Sequence, residues 1–152
     1  MPKLSPFLWF DTQAEEAARF YVSTFKGRSK LGAISRYGEG APKKAGTVMT
    51  VSFKVEGMAF TALNGGPVYQ LTPAVSFVVS CKTQKEIDRL WARLSDGGKE
   101  MACGWLTDKY GVTWQIVPEK IFQLIKHPRA MQAMMQMVKL DLKALKAAAR
   151  GG

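Results

Sequence analysis

The sequence holds few side chains that could act as a nucleophile, a base or a transition-metal ligand. It has one histidine, His127, and two cysteines, Cys81 and Cys103. A reactive thiol needs a neighbouring base or cation to form the thiolate, and near Cys103 the sequence supplies only Lys99 and Lys109. We therefore interpret Cys103 as an inert, buried cysteine, and we assign no catalytic residue.

The remaining polar candidates have structural explanations. His127 directly precedes Pro128, which is typical of a helix end. Asp11 and Asp108 are interpreted as a helix cap and a turn residue. No pair of carboxylates has a spacing that demands acid–base catalysis.

The composition indicates one globular domain with a basic surface. The chain has 152 residues, 47% hydrophobic and 22% charged, and a formal net charge of +10. The basic residues are dispersed and no motif for reading nucleic acid accompanies them, so we expect no nucleic-acid partner. No apolar run reaches the roughly 18 residues that span a bilayer, so we expect no membrane partner. Without a signal peptide or a disulfide framework, we expect a reduced, cytoplasmic protein.

The first half of the chain predicts a strand, a helix and three more strands. Residues 6–10 form a short aromatic run that indicates a buried strand. The spacing of Thr12 and Glu15 fits a capping box at the start of the helix. Further strands are expected at 31–37, 47–55 and 58–63, with a flexible loop at 38–46.

The second half starts in the same way. A strand is expected at 74–80, and Thr83 and Glu86 have the spacing of a second capping box. Two more strands are expected, at 100–107 and 112–117. We interpret the chain as two tandem copies of one unit, about 70 residues apart.

Beyond Pro118 the pattern changes to helices. Residues 121–125 predict a short helix, and residues 129–149 predict a longer one with methionines and leucines near one face. We interpret the longer helix as packing over the barrel that the strands are expected to form, or across a dimer. We do not interpret it as a calmodulin-like or membrane-surface helix. The expected organisation is a single domain, 1–152, with module one at 1–68, module two at 70–118 and a helical extension at 119–150.

Several motifs resemble one protein family. They include Pro6-Phe7-Leu8-Trp9-Phe10-Asp11, Ala62-Leu63-Asn64-Gly65-Gly66-Pro67, Cys103-Gly104-Trp105-Leu106 and Trp114-Gln115-Ile116-Val117-Pro118. The sequence is similar to the PhnB-like family, which carries the label 3-demethylubiquinone-9 3-methyltransferase. That family is a branch of the glyoxalase/bleomycin resistance/dioxygenase, or vicinal oxygen chelate, superfamily. The resemblance implies an α+β fold of paired βαβββ modules that form an incomplete barrel, with C-terminal helices added, and a homodimer.

The methyltransferase label of the family does not agree with this sequence. An enzyme that uses S-adenosylmethionine usually needs a glycine-rich turn between a strand and a helix. The only Gly-x-Gly of the chain, Gly38 to Gly40, lies in a predicted loop between strands. We therefore expect no methyl transfer and no cofactor.

The resemblance also implies metal-ligand positions on the first and last strands of each module. In this sequence those positions fall on Leu4, Thr61, Ala74 and Gln115. None is a histidine or a carboxylate, whereas a divalent transition metal prefers imidazole, thiolate or carboxylate donors. We therefore predict that this protein has no metal site of the usual kind.

Strand alternation indicates which side chains face the expected cavity. If Phe7 and Phe77 face the helices, then Leu8, Phe10 and Val78 face the cavity. The residues predicted to bind a ligand there are Thr61, Asn64, Ser76, Cys103, Trp105 and Gln115. Such a lining suits a neutral, planar or partly apolar small molecule, although the same side chains could instead fill the interior.

The function expected from the residues and the resemblance is binding of a small organic molecule without a metal. Two alternatives stay open. One is a metal-dependent, glyoxalase-type lyase or isomerase. The other is a non-enzymatic dimer that sequesters its ligand, like the drug-resistance members of the superfamily. The sequence does not decide whether the protein is an enzyme.

Overall fold

The computed structural model describes residues 2–151 and divides the chain into two compact units, Met1–Leu71 and Thr72–Gly152. Each unit contains one four-stranded sheet and follows the order strand, helix, three strands. Further helices follow the second sheet. The predicted α+β class, with two repeated units and added C-terminal helices, is confirmed.

The first unit consists of a mixed sheet and one helix. Its elements are β1 (Phe7–Phe10), α1 (Ala14–Thr24), β2 (Lys30–Arg36), β3 (Val48–Val55) and β4 (Met58–Asn64). The sheet order is β1-β4-β3-β2, in which β1 is parallel to β4 and the other neighbours are antiparallel. Because Phe10 pairs with Asn64, the end of β4 lies beside the turn that leads into α1.

One side of the first sheet packs against α1. The ring centroid of Phe53 lies 6.1 Å from that of Tyr21 in α1 and 5.1 Å from that of Phe60. Strand register and alternation place Leu8 and Phe10 on this same side, and both are buried. The predicted cavity orientation of Leu8 and Phe10 is therefore wrong. Alternation separates the two sides of a strand, but it does not say which side meets the helix.

The start of α1 is capped by a residue of the sheet. Asn64 Oδ1 accepts the backbone N–H of Ala14 at 2.7 Å, and Asn64 Nδ2 donates to a backbone carbonyl at the start of β3. Gln13 holds the cap position and makes no side-chain cap bond. The predicted capping box at 12–15 is therefore wrong, because its threonine precedes the cap position by one residue.

The second unit repeats the arrangement with a shorter sheet. Its elements are β5 (Ser76–Cys81), α2 (Gln84–Ser95), β6 (Lys99–Glu100), β7 (Trp105–Thr107) and β8 (Thr113–Pro118). The sheet order is β5-β8-β7-β6, in which β5 is parallel to β8. Here the predicted cap is present, since Thr83 Oγ1 accepts the backbone N–H of Glu86 at 3.2 Å.

The helix α2 packs against one side of the second sheet. Leu90 and Leu94 of the helix are buried, as are Trp114 and Ile116 of β8. The ring of Phe77 lies 5.6 Å from that of Trp114 on this side. This orientation of β5 and β8 agrees with the prediction for the second module.

A 3-10 turn at Ala102–Gly104 interrupts the strand predicted at 100–107. Cys103 has a φ of +64 and Gly104 a φ of +84. Their backbone N–H groups donate to the carbonyls of Met137 and Val138, each at 2.8 Å. Cys103 is therefore part of a turn that binds the C-terminal segment, and strand alternation does not apply to it.

The C-terminal segment folds as three helices, α3 (Ile121–Leu124), α4 (Pro128–Met135) and α5 (Leu142–Gly151). The single long helix predicted at 129–149 is therefore wrong. Its interruption contains Leu140, which is buried in a cluster with Val117 and Leu145. A Cβ placed on Gly104 would lie 2.9 Å from Leu140 Cγ, so the glycine makes room for this leucine. None of the helices formed by residues 2–151 has the length and apolar character needed to cross a bilayer.

We expect Asn64→Ala to lower the free energy of unfolding by about 1–2 kcal/mol, because it removes the acceptor that caps α1. Urea denaturation followed by circular dichroism measures this change. Asn64→Asp keeps an acceptor for Ala14 and should retain part of the stability. The control is Gln13→Ala, at the neighbouring exposed position, which should change the free energy by less than about 0.5 kcal/mol. Equal losses for Asn64→Ala and Gln13→Ala would contradict the capping role of Asn64.

Candidate functional site

The side of the second sheet opposite α2 carries mostly uncharged residues. Two neighbouring cross-strand rows of uncharged residues lie on it, and we call them together the Gln115 surface. The rows are Val78–Gln115–Trp105 and Ser76–Thr113–Thr107, and Lys99 of β6 continues the second row beyond Thr107.

Two side-chain hydrogen bonds organise the Gln115 surface. Gln115 Nε2 donates to Ser76 Oγ at 2.9 Å. The hydroxyl oxygens of Thr107 and Thr113 lie 3.0 Å apart. Gln115 is half-buried, whereas the neighbouring Val78 is 50% exposed. The surface therefore presents a carboxamide oxygen and a hydroxyl group beside apolar side chains.

The buried carboxylate of Asp108 fixes the strand that carries Gln115. Its Oδ1 accepts the backbone N–H groups of Tyr110 and Val112, at 2.8 and 3.1 Å. Its Oδ2 accepts the indole N–H of Trp114 at 2.8 Å. The structure thus places Asp108 in a turn, in agreement with the sequence interpretation. Because Gln115 follows Trp114, this carboxylate positions the start of β8.

Thr61 and Asn64 of the first unit lie on different sides of their sheet. Thr61 pairs with Phe7 and Ser52 on the side opposite α1, where Phe7 is 60% exposed. Asn64 lies on the helix side, and both polar atoms of its side chain bond to the backbone. Thr61 therefore offers a hydroxyl next to an exposed ring, whereas Asn64 acts as a cap.

The cysteines occupy different environments. Cys103 is half-buried in its turn, and Cys81 at the end of β5 is fully buried. Burial, together with the nearby Glu86 carboxylate, raises the pKa of the Cys81 thiol to about 12. At neutral pH Cys81 is therefore a thiol with no nucleophilic character.

The four positions at which the sequence resemblance implies metal ligands do not fit a transition metal. Leu4, which is 91% exposed, and Ala74 have alkyl side chains with no donor atom. Thr61 supplies a neutral hydroxyl, and Gln115 supplies a neutral amide whose nitrogen already bonds to Ser76. Among residues 2–151, no three His, Cys, Asp or Glu side chains are grouped so that they could hold a metal ion. The absence of the usual metal site stays a prediction, and this donor chemistry supports it.

A cleft of about 610 Å³ in the first unit was not foreseen from the sequence. It lies between the start of α1 and the loop that joins β2 to β3. We call it the Lys43 cleft. The side chains that line it include Asp11, Thr12, Glu15, Arg36, Tyr37, Lys43, Lys44 and Asn64. The lysine pair was visible in the sequence only as charge in a flexible loop, since the cleft forms when the β2–β3 hairpin folds beside α1.

The repeated strand–helix–three-strand units define an α+β protein built from two copies of one unit. Residues 2–117 match the model of the 3-demethylubiquinone-9 3-methyltransferase family, and the chain belongs to this family. The homodimer and the cytoplasmic location expected above stay predictions.

Two solved structures illustrate the similarity. One is a putative 3-demethylubiquinone-9 3-methyltransferase, PhnB protein, from Bacillus cereus, with 37% identity and a TM-score of 0.69 over 76% of this chain and 99% of that one. The other is a protein from Pseudomonas aeruginosa, with 23% identity and a TM-score of 0.63 over 78% of this chain and 98% of that one, which supports the fold alone. No curated protein has a matching sequence.

We expect a thiol reagent such as DTNB to leave Cys81 unmodified in the folded protein at pH 8. With a pKa of about 12, only about one molecule in ten thousand carries the Cys81 thiolate at that pH. The Cys81→Ser variant should therefore react in the native state to the same extent as the wild type. In guanidinium chloride, both thiols of the wild type should react. Rapid native-state labelling of the Cys81 peptide, detected by mass spectrometry, would contradict the burial of this thiol.

Proposed function

We propose that the protein binds a small, neutral, partly apolar organic molecule at the Gln115 surface without the help of a metal ion. The observation that carries this proposal is the hydrogen-bonded pair of Gln115 and Ser76, whose side-chain atoms lie 2.9 Å apart. Val78 and Trp105 flank Gln115 in the same cross-strand row. The pair thus supplies polar recognition within an apolar surrounding, which is the usual composition of a small-molecule site.

The chemistry of these side chains selects the class of ligand. A carboxamide both donates and accepts hydrogen bonds, so Gln115 suits a carbonyl, amide or alcohol group. Trp105 offers a large apolar ring system for the remainder of the molecule. Beside Gln115, between Val78 and Trp105, a charged group would lose its hydration without gaining a counter-charge, because Lys99 lies two strands away at the end of the other row. This favours a neutral ligand.

We propose no methyl transfer for this chain, although its Bacillus cereus relative is named as a putative methyltransferase. The connections from β1 to α1 and from β5 to α2 contain no glycine. Gly38 and Gly40 lie between β2 and β3, which are antiparallel neighbours. The tight glycine turn that brings a nucleotide to a helix N-terminus therefore has no counterpart at either connection.

The metal-dependent alternative predicts a bound, stabilising metal ion, whereas our proposal predicts none. If the neutral donors of Thr61 and Gln115 bind no transition metal, then nickel, zinc or manganese should leave the melting temperature within about 1 °C of that of EDTA-treated protein. Metal analysis of the purified protein should find less than one ion per chain. A stoichiometric ion that raises the melting temperature, and that Gln115→Ala removes, would instead support a glyoxalase-type metal enzyme.

We expect a thermal-shift screen of neutral metabolites to identify ligands whose binding depends on Gln115. By isothermal titration calorimetry, Gln115→Ala should weaken binding of such a ligand about tenfold or more, because the ligand loses its hydrogen-bonding partner. Gln132→Ala, at an exposed position of α4, is the matched control and should leave the affinity unchanged. Ligands that bind Gln115→Ala as tightly as the wild type, or a screen without any saturable ligand, would contradict the proposal.

A further inference from the structure

Residues of both charges line the Lys43 cleft. The β2–β3 hairpin contributes Arg36, Lys43 and Lys44, and the segment at the start of α1 contributes Asp11 and Glu15. Its volume of about 610 Å³ lies within the range of about 300–1,000 Å³ found for small-molecule sites. The cleft is therefore large enough for a ligand the size of a sugar phosphate.

Hydrogen bonds at the base of the β2–β3 hairpin hold in place the segment that carries the three cations. The backbone N–H of Tyr37 donates to the carbonyl of Thr47 at 2.9 Å, and that of Gly46 donates to the carbonyl of Tyr37 at 2.8 Å. Arg36 Nη1 donates to the carbonyl of Gly46 at 3.1 Å. The Tyr37 hydroxyl donates to the carbonyl of Asn64 at 2.6 Å, which ties the hairpin to the end of β4.

The ammonium group of Lys43 approaches the backbone that follows β4. A Cβ placed on Gly66, whose φ is +91, would lie 2.5 Å from Lys43 Nζ. The absence of a side chain at Gly66 is therefore what allows the ammonium group this position, and Lys43 is half-buried there. Neither Lys43 nor Lys44 forms an ion pair with a carboxylate of residues 2–151.

The carboxylates of the cleft supply less uncompensated charge than its lysines and arginine. Glu15 Oε2 accepts from Arg19 Nη2 at 2.8 Å and from Arg19 Nε at 2.9 Å, so most of its charge is compensated on α1. Asp11 is the other carboxylate of the cleft, and it is exposed. The lining thus holds more positive than uncompensated negative charge, and the Asp11 carboxylate is an exposed hydrogen-bond acceptor in the same cleft.

We propose that the Lys43 cleft binds a small phosphorylated molecule that also carries hydroxyl groups, such as a sugar phosphate. Lysine and arginine side chains form charge-assisted hydrogen bonds with phosphate oxygens, and Lys43, Lys44 and Arg36 supply these donors. The carboxylate of Asp11, which lines the same cleft, accepts hydrogen bonds from ligand hydroxyl groups. All of these residues belong to the first unit, so this site does not depend on the Gln115 surface.

Isothermal titration calorimetry of the full chain with glucose 6-phosphate and glycerol 3-phosphate tests the proposal. At least one of these probes should bind saturably, about tenfold or more tightly than glucose or inorganic phosphate. The affinity should fall as sodium chloride is added. No saturable binding of either probe, or equal binding of inorganic phosphate, would overturn the proposal.

Charge-matched variants separate this cleft from the general basic surface. Lys43→Gln combined with Lys44→Gln should weaken binding of the sugar phosphate about tenfold or more. Lys82→Gln combined with Lys85→Gln removes the same charge at exposed positions of the second unit and should have little effect. Equal losses in the two double variants would overturn the proposal in favour of non-specific attraction.

The variant Asp11→Ala tests whether the Asp11 carboxylate binds the hydroxyl groups of the ligand. Loss of its carboxylate should lower the ratio of the sugar-phosphate affinity to the inorganic-phosphate affinity, because only the sugar phosphate uses this acceptor. An unchanged ratio would overturn the role of Asp11 in binding hydroxyl groups. Circular dichroism spectra that match the wild type show that each variant is folded, so a loss of affinity reports on binding.

Discussion

In each unit, one side of the sheet packs against the helix that follows its first strand, and this constraint decides which side chains remain for binding. Burial of apolar surface is the main force that joins a helix to a sheet, and it brings Tyr21 of α1 against Phe53 in the first unit. Once one side of a strand is buried, the period of two places alternate residues on the other side. Thr61 and Gln115 are on that other side because Phe60 and Trp114 are buried next to them. The neutral character of the Gln115 surface thus follows from the same alternation that forms the core.

Periodicity predicted the order of the elements, but contacts between distant segments decided several details. Phe7 and Leu8 are both apolar, so the pattern alone does not show that Leu8 is buried while Phe7 is 60% exposed. The cap of α1 comes from Asn64, which lies 50 positions along the chain from Ala14. In α2 the cap is a local threonine, Thr83, and there the local signal was sufficient. Of the predicted ligand residues, Asn64 therefore has a structural role that its position in the family motif did not reveal.

The C-terminal segment shows how tertiary hydrogen bonds can override helical periodicity. The apolar spacing of residues 129–149 suits a continuous helix, yet the carbonyls of Met137 and Val138 bond to the turn at Cys103 and Gly104. The helix α5 then begins beside α2, where the Leu142 N–H donates to Gln84 Oε1 at 2.8 Å. These partners lie too far away in sequence for a local pattern to indicate them. Asp141, whose Oδ1 accepts the N–H of Ala144, is the one local signal of the new helix start.

The net charge of +10 does not by itself make a binding site, because basic residues differ in what surrounds them. Lys139 lies 2.8 Å from a carboxylate oxygen of Asp88, and its hydrogen bond lowers the pKa of that carboxyl group. The charge of Lys139 is thus already engaged within the protein. Lys43 instead has its ammonium group over Gly66, on the wall of a cleft and without a carboxylate partner in the described part of the chain. A charged group in such a position gains more from an incoming anion than an ion-paired one does, since no existing interaction has to be broken. Geometry, rather than the number of lysines, is therefore the reason to place anion recognition in the first unit and neutral recognition in the second.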